Sequence, residues 1–592
     1  MRNKFAVPLI VIGVLLMLIG IGQRTVWAPP STVTAAAPSQ DQEAPLTVIS
    51  SDVLTRHSDG VDVTVSADGP FLMAVGRSDD VEAWVEDASV LRIGADGESL
   101  TSEVTDGTDT VPDPAGSDLW VSEQEIEDEL TFTWEPPAAG DWQILLAADG
   151  TAAAPSAVSV TFANDDSTPF AIPLIVLGAL VAVLGLALAF ISGRGNSARR
   201  SGGSGPSSSE PGEQSEQSEA RPGTGSAAPA AGPAGSTRTF GILPALRRRG
   251  PAAALGTVIA AGLSFGAPAA AQAALPFTAS PSAESAGPAA DAGSEATPPV
   301  VLDSQLERIL SEVSATVTEA DAAKDAKLLS TRAAGSAATL REANYTTAAK
   351  VPETDAPEPV AAEPLMTDLI MGGTEFPRSI VAVTQGPENE VPQALMLVQE
   401  SARQNYKLVS AIKMLPGTTF PQRPAGGTGV NPAPADSAEG LAIAPQAAVN
   451  GLADALTNPD GENKDTFAAN TFAEAVTKFQ KTVLSSPDNE FADITFKHTS
   501  VPANTRALRT ADGGAIVFGY MDSSYASVPR EAGDSINLEG TVYEKLTGET
   551  STEDGIDVKY GEGVMLYVPP AGSTDRIQVI GAVQELLSAT LK

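Results

Sequence analysis

The sequence contains no cysteine. That excludes disulfides, thiolate metal sites, cysteine nucleophiles and anchoring through a lipidated cysteine. Histidine is nearly absent too: His57 and His498 are the two in the chain and fall in different regions. A His-rich metal site or a Ser-His-Asp triad is hard to assemble from them, and each is expected as a surface or strand residue. Basic residues are scarce, with 36 Lys plus Arg against 74 Asp plus Glu and a formal charge of −38. Nucleic-acid binding needs clustered cations and is not expected. Between Ala28 and Asp166 there are 28 acids against three arginines and no lysine, so this region is expected to be an exported domain kept soluble by charge.

What is present in quantity is apolar sequence, gathered in long runs. Phe5 to Gly22 is uninterrupted, "FAVPLIVIGVLLMLIGIG". At about 1.5 Å per residue it nearly spans a bilayer core, and residues up to Trp27 extend it to the interface. Arg2 and Lys4 precede it, which keeps the N-terminus in the cytoplasm. A cleaved signal peptide is the competing reading, but "QRTVWAPP" lacks the small-x-small pattern a peptidase needs. A second charge-free run covers Pro169 to Ser192, with Arg194, Arg199 and Arg200 behind it, placing its C-terminal end inside. Gly13, Gly20, Gly178 and Gly185 are expected to let these two helices approach closely. A third stretch, "RRRGPAAALGTVIAAGLSFGAPAAAQAALP" from Arg247 to Pro276, has the grammar of an export signal in mid-chain. Ala271-Gln272-Ala273 offers a cleavage motif, and retention in the membrane as a third helix is the favoured of its two readings.

Residues Leu46 to Ala163 carry short apolar runs about every ten residues: "LTVIS", "VDVTVSA", "FLMAVG", "VEAWVE", "SVLRIG", "LTFTW", "WQILLAA" and "AVSVTFA". Their spacing predicts an all-β sandwich. "WEPPAAGDWQILLAADG" reads as a late hairpin turned at Pro136, Pro137 and Gly140. Trp84, Trp120 and Trp134 are possible sugar platforms, with core packing the expected role. The run "DGTDTVPDPAGSD" lacks the spacing of a calcium loop and reads as a solvated acidic loop.

The C-terminal half holds two passages of similar layout. The first opens with an amphipathic helix bearing Leu302, Leu306, Ile309, Leu310, Val313 and Val317 on one face, then helical segments around Leu328 and Leu340, then strands "SIVAVTQ", "QALMLVQES" and "YKLVSAIKML". The second has helices over Ala447 to Leu456 and around Phe472, Val476, Phe479 and Val483. Strands "ADITFKH", "TRALRTA", "AIVFGYM", "SINLEG", "VMLYVPP" and "RIQVIGAV" follow, and a short helix at Leu586 and Leu587 closes the chain. Helices followed by an antiparallel sheet make an α+β arrangement. This order resembles the ketosteroid-isomerase-like cone fold, here in tandem. The resemblance implies enzymes or binding modules alike; its enzymes use a buried Asp or His base with Tyr or acid donors, and no matching set can be placed here. Tyr406, Tyr520 and Tyr567 read as sheet packing. Asp493 and His498, five apart in one strand, fall on opposite faces and read as two solvated strand-end residues.

The expected order is therefore a cytoplasmic N-terminus (1–4), a transmembrane helix (5–27), an extracytoplasmic β-sandwich (28–168), a second transmembrane helix (169–192) and a disordered cytoplasmic linker (193–250). A third helix or internal signal (251–274) follows, then a disordered tether (275–299), a first extracytoplasmic α+β repeat (300–422), a linker (423–444) and a second α+β repeat (445–592). By composition and topology the whole resembles multi-span envelope proteins of GC-rich Gram-positive bacteria. The expected function is a non-enzymatic membrane-anchored protein of the cell envelope that displays binding or assembly modules to a protein or cell-wall partner. No catalytic residue, cofactor or metal is expected. The alternatives are an enzyme with its site in a C-terminal cone cavity, recognised by a convergent polar set with perturbed acids, and a sensor or transport accessory.

Overall fold

The structure, a computed structural model, describes residues 3–57, 60–193, 253–254, 297–424 and 427–592. The expectations for 193–250, 251–274 and 275–299 lie almost entirely outside the described residues. Within 251–274 only Ala253–Ala254 is described, as a two-residue strand parallel to Ile536–Asn537 instead of a turn of helix.

The chain divides into two compact units. One contains the helices Asn3–Thr25 and Ala171–Gly193, the two among the described residues that are long and apolar enough to cross a membrane. They pack antiparallel through their glycines. A Cβ on Gly13 would lie 2.5 Å from the Ala182 nitrogen, and one on Gly20 2.7 Å from the Ala171 oxygen. Only glycine permits this approach, in which dispersion between backbones replaces a hydrophobic drive.

The other unit contains residues 33–163 together with the C-terminal half. Residues 33–163 form two facing sheets. The first orders its strands Thr32–Ala36, Ala157–Ala163, Val61–Ser66 and Glu129–Thr133. The second runs Ser99–Thr105, Val90–Asp96, Leu46–Ile49, Trp142–Ala147, Phe71–Arg77 and Ser122–Ile126. Alternation sets the inner faces: Val61, Val63 and Val65 meet Phe71, Met73, Val75, Ile144 and Leu146 in one core. The expected hairpin is instead a crossover, because Glu129–Thr133 and Trp142–Ala147 belong to different sheets. "VEAWVE" is not a strand. It lies in and just past the helix Ser78–Val85, where Asp79 and Asp80 occupy the first turn and Val81, Trp84 and Val85 share one face.

The second sheet is apolar on its outer face as well. Leu46, Val48, Leu72, Ala74, Leu145 and Ala147 point there, covered by Trp84, Val85, Leu119 and Trp120, with Ala402 and Phe376 of the C-terminal half packed in the same cluster.

In the C-terminal half both passages place helices before an antiparallel sheet, as expected. The first has helices Asp303–Ala323 and Gly335–Lys350, then a meander of Leu365–Ile370, Arg378–Thr384, Gln393–Gln399 and Lys407–Lys413. The second has helices Pro445–Thr457 and Thr471–Ser485, then strands ordered Ala492–Ser500, Ala515–Pro529, Ile556–Val568 and Gln578–Leu591, with Arg506–Arg509 also on Ala515–Pro529. The expected closing helix at Leu586 and Leu587 is part of the last strand, whose pairing with Ile556–Val568 along its length overrides local helix preference. The two passages share one core: Ile516, Phe518, Met565 and Ile580 of the second join Leu306, Ile309, Leu395 and Leu397 of the first. The linker between them is packed too, with Val430, Ala433 and Leu441 buried.

Candidate functional site

The most heavily built polar site joins the sandwich to the C-terminal half. The sandwich contributes two short pieces lying over its second sheet. One is the helix Ser78–Val85, carrying Asp80 in its first turn. The other is the loop before Ser122–Ile126, pinned by the Trp120 indole Nε1–H donating to the Pro114 carbonyl at 2.7 Å. Trp84 and Trp120 stand 5.9 Å apart in this layer. The C-terminal half contributes the start of helix Asp303–Ala323, Arg332, Arg378 at the head of its strand, and the turn between Gln393–Gln399 and Lys407–Lys413. Gln399 staples that turn by donating from Nε2 to the Gln404 carbonyl at 2.8 Å.

Asp118 is the centre of the joint. Its Oδ2 accepts from Arg332 Nη1 at 2.6 Å and from the Tyr406 backbone N–H at 2.7 Å. Its own N–H donates to Asn405 Oδ1 at 2.9 Å. Arg332 also pairs with Glu312. A second ion pair, Arg378 Nη1 with Asp80 Oδ1 at 2.6 Å, has both side chains no more than 2% exposed. The Arg378 guanidinium lies 4.2 Å above the Phe376 ring. The rest of the joint reads backbone. Arg308 Nη2 donates to the Trp120 carbonyl at 2.7 Å, and Gln305 Nε2 to those of Asp118 and Leu119 at 3.1 Å each. Arg403 Nε donates to the Trp84 carbonyl at 2.8 Å.

Burial raises the carboxyl pKa of Asp80 and of Asp118 against the pull of Arg378 and Arg332. Burial also pushes the Tyr406 phenol well above its ordinary value. Neither Asp80 Oδ2 nor the Tyr406 hydroxyl has a hydrogen-bond partner among the described residues. Keeping water from these groups costs free energy, which the ion pairs and the apolar packing around them must offset. Asp118 therefore corrects the reading of its loop as wholly solvated. Asp106, Asp109 and Asp113 are exposed as expected, but the last acid is 1% exposed because a cation 214 residues away meets it.

A second buried polar set lies in the second passage and corrects the reading of His498 as solvated. His498 Nδ1 sits 2.9 Å from Glu562 Oε2, and Gln584 Nε2 donates to Glu562 Oε1 at 2.8 Å. Gln480 Nε2 lies 3.3 Å from His498 Nε2 and donates to the Leu456 carbonyl at 3.0 Å. With an amide nitrogen against Nε2, the fitting arrangement has Nδ1–H donating to Glu562 and Nε2 accepting from Gln480. Each ring nitrogen and carboxylate oxygen of the dyad has a partner, so the set locks helix Thr471–Ser485 to the sheet. Asp493, the acid weighed against His498 in the sequence, is exposed and pairs with Arg530 at 2.8 Å.

Trp84, Trp120 and Trp134 are buried. His57 stacks on Phe162 with ring centroids 3.8 Å apart. Tyr406 and Tyr520 are buried, and Tyr567 donates its hydroxyl to Asp512 Oδ2 at 2.7 Å. Among the described residues no group of three or more His, Asp or Glu is placed to hold a metal.

Residues 297–590 match the model of a family described as a domain of unknown function, DUF8094. The match spans both passages as one domain, in keeping with their shared core. No curated protein and no solved structure matches the chain.

Proposed function

We propose that the protein is a non-enzymatic, membrane-anchored component of the cell envelope, whose sandwich and C-terminal half are displayed outside the membrane as one docked module for binding or assembly with a protein or cell-wall partner. The observation that carries the reading is the buried joint, with Asp118 on Arg332 and Asp80 on Arg378. The two apolar helices bracket the sandwich in sequence. Arg2 and Lys4 before the first, and Arg194, Arg199 and Arg200 after the second, favour the sandwich outside. The joint then requires the C-terminal half on the same side. The chain must therefore re-cross between Gly193 and Thr297, where Arg247–Pro276 holds the long apolar run. That crossing would give up the two-residue pairing of Ala253–Ala254. Against catalysis, the buried His–Glu pair is closed by its own partners.

The absence of cysteine makes the test clean. Asp109→Cys, Ser215→Cys and Lys592→Cys each create a unique thiol. In intact cells a membrane-impermeant maleimide is expected to label the first and third, and the second only after permeabilisation. Labelling at 109 but not at 592 would overturn the shared side.

A further inference from the structure

A groove of about 560 Å³ lies between helices Pro445–Thr457 and Thr471–Ser485, with Asn463 and Lys464 of the turn Glu462–Asp465 on its wall. That volume falls within the range of small-molecule sites. Its floor is apolar, with Leu452, Leu456 and Phe467 all buried. Lys464, Lys478 and Lys481 also line it. Lys478 and Lys481, three apart on one helix, are neighbours on its surface. None of the three forms an ion pair among the described residues, where the paired lysines are Lys413, Lys545 and Lys592. In a chain with twice as many acids as bases, three unpartnered ammonium groups around one apolar floor form a site complementary to an anion.

We propose that this groove binds an anionic amphiphile, its hydrocarbon chain over Leu452, Leu456 and Phe467 and its charged head between the lysines. This goes beyond the display role proposed above, and the groove is independent of the joint. An acidic peptide fits less well. Running along the helix it would meet Glu474, one turn before Lys478 and lining the same groove, whereas a single head group needs only the lysines.

The test uses the full chain in phosphatidylcholine nanodiscs, with octyl phosphate as probe and the acetylation rate of individual lysines as readout. Octyl phosphate is expected to slow acetylation at Lys464, Lys478 and Lys481 by about fivefold or more, an effect of roughly 1 kcal/mol, and to leave exposed Lys559 unchanged. Inorganic phosphate, octyl glucoside and hexaglutamate are expected to give no such protection. Ala455→Trp, which fills the floor, is expected to abolish it. Should that variant misfold, as an altered Lys559 rate would show, the surface pair Lys478→Gln/Lys481→Gln is expected to abolish protection of Lys464. Three results would each overturn the proposal: no protection by octyl phosphate, equal protection by inorganic phosphate or hexaglutamate, or protection that survives the substitutions.

Discussion

The two passages of the C-terminal half share an order of elements and differ in what covers them. In the first, strands Arg378–Thr384 and Gln393–Gln399 are buried at every position, and its arginines Arg332 and Arg378 are buried against acids of the sandwich. In the second, the edge strand Ala492–Ser500 has exposed positions along much of its length. Its ion pairs Arg530–Asp493 and Arg576–Asp465 have every side chain more than half exposed. The same local layout thus carries arginine–carboxylate pairs sealed in a joint in one case and pairs left at the surface in the other. Neighbours decide how much an ion pair contributes: water screens the outer pairs, while the inner ones hold each other's charge in a dry joint.

The sharpest break of that comparison is Arg332→Ala. It leaves Asp118 charged and buried, and a loss of about 3–5 kcal/mol is expected; Asp118→Leu/Arg332→Leu should regain most of it. Denaturant midpoints of the solubilised chain measure both, and a single-variant loss below 1 kcal/mol would refute the dry joint. Next in size is a pH effect. Burial raises Glu585 from 4.5 to about 7, with Asn344, Asp355 and Arg341 around it. Its folded pKa exceeds the unfolded one, so its contribution is full below pH 4.5 and is lost as pH rises through 7. Glu585→Gln should remove a decline of order 3 kcal/mol between pH 4.5 and 8. Asp80 and Asp118 act with the same sign, so the difference between wild type and variant isolates Glu585. A variant with an undiminished slope would count against this.

A packing test follows within the second passage. A Cβ on Gly519 would lie 2.6 Å from Val449 Cγ2. Gly519→Ala is therefore expected to cost about 1–3 kcal/mol, and adding Val449→Ala should restore part of it; no rescue would show that the contact is not the cause. The smallest effect is at the surface, where Asp493→Ala should change stability by less than about 1 kcal/mol. A loss as large as that of Arg332→Ala would erase the distinction between the passages.

Periodic segments were legible without the fold. The face Leu306, Ile309, Leu310, Val313 and Val317 is buried as its spacing predicts, and the glycine spacing of the two apolar helices forecasts their contact. Where sequence and structure part, a distant partner decides. Gln578–Leu591 ends in a helix-like "QELLSATL" but is held extended by Ile556–Val568. "VEAWVE" alternates like a strand, yet the acids before it and the spacing of Val81, Trp84 and Val85 were available as helix signals. The joint left no local trace. Asp118 looks like any acid of its loop, and nothing in the spacing links it to Arg332. The acid nearest His498 in its own strand is Asp493, while its partner, Glu562, lies 64 residues on.

The joint also bears on the fate of the chain if the bond after Ala273 is cut. A severed C-terminal half would still be held to the sandwich by two desolvated ion pairs, five or more hydrogen bonds to backbone carbonyls and N–H groups, and a shared apolar layer. Proteolysis at that point would yield a non-covalent heterodimer and no shed fragment. Whether the polypeptide is one piece or two would then be visible in its mass under denaturing conditions and invisible in its partition between membrane and medium.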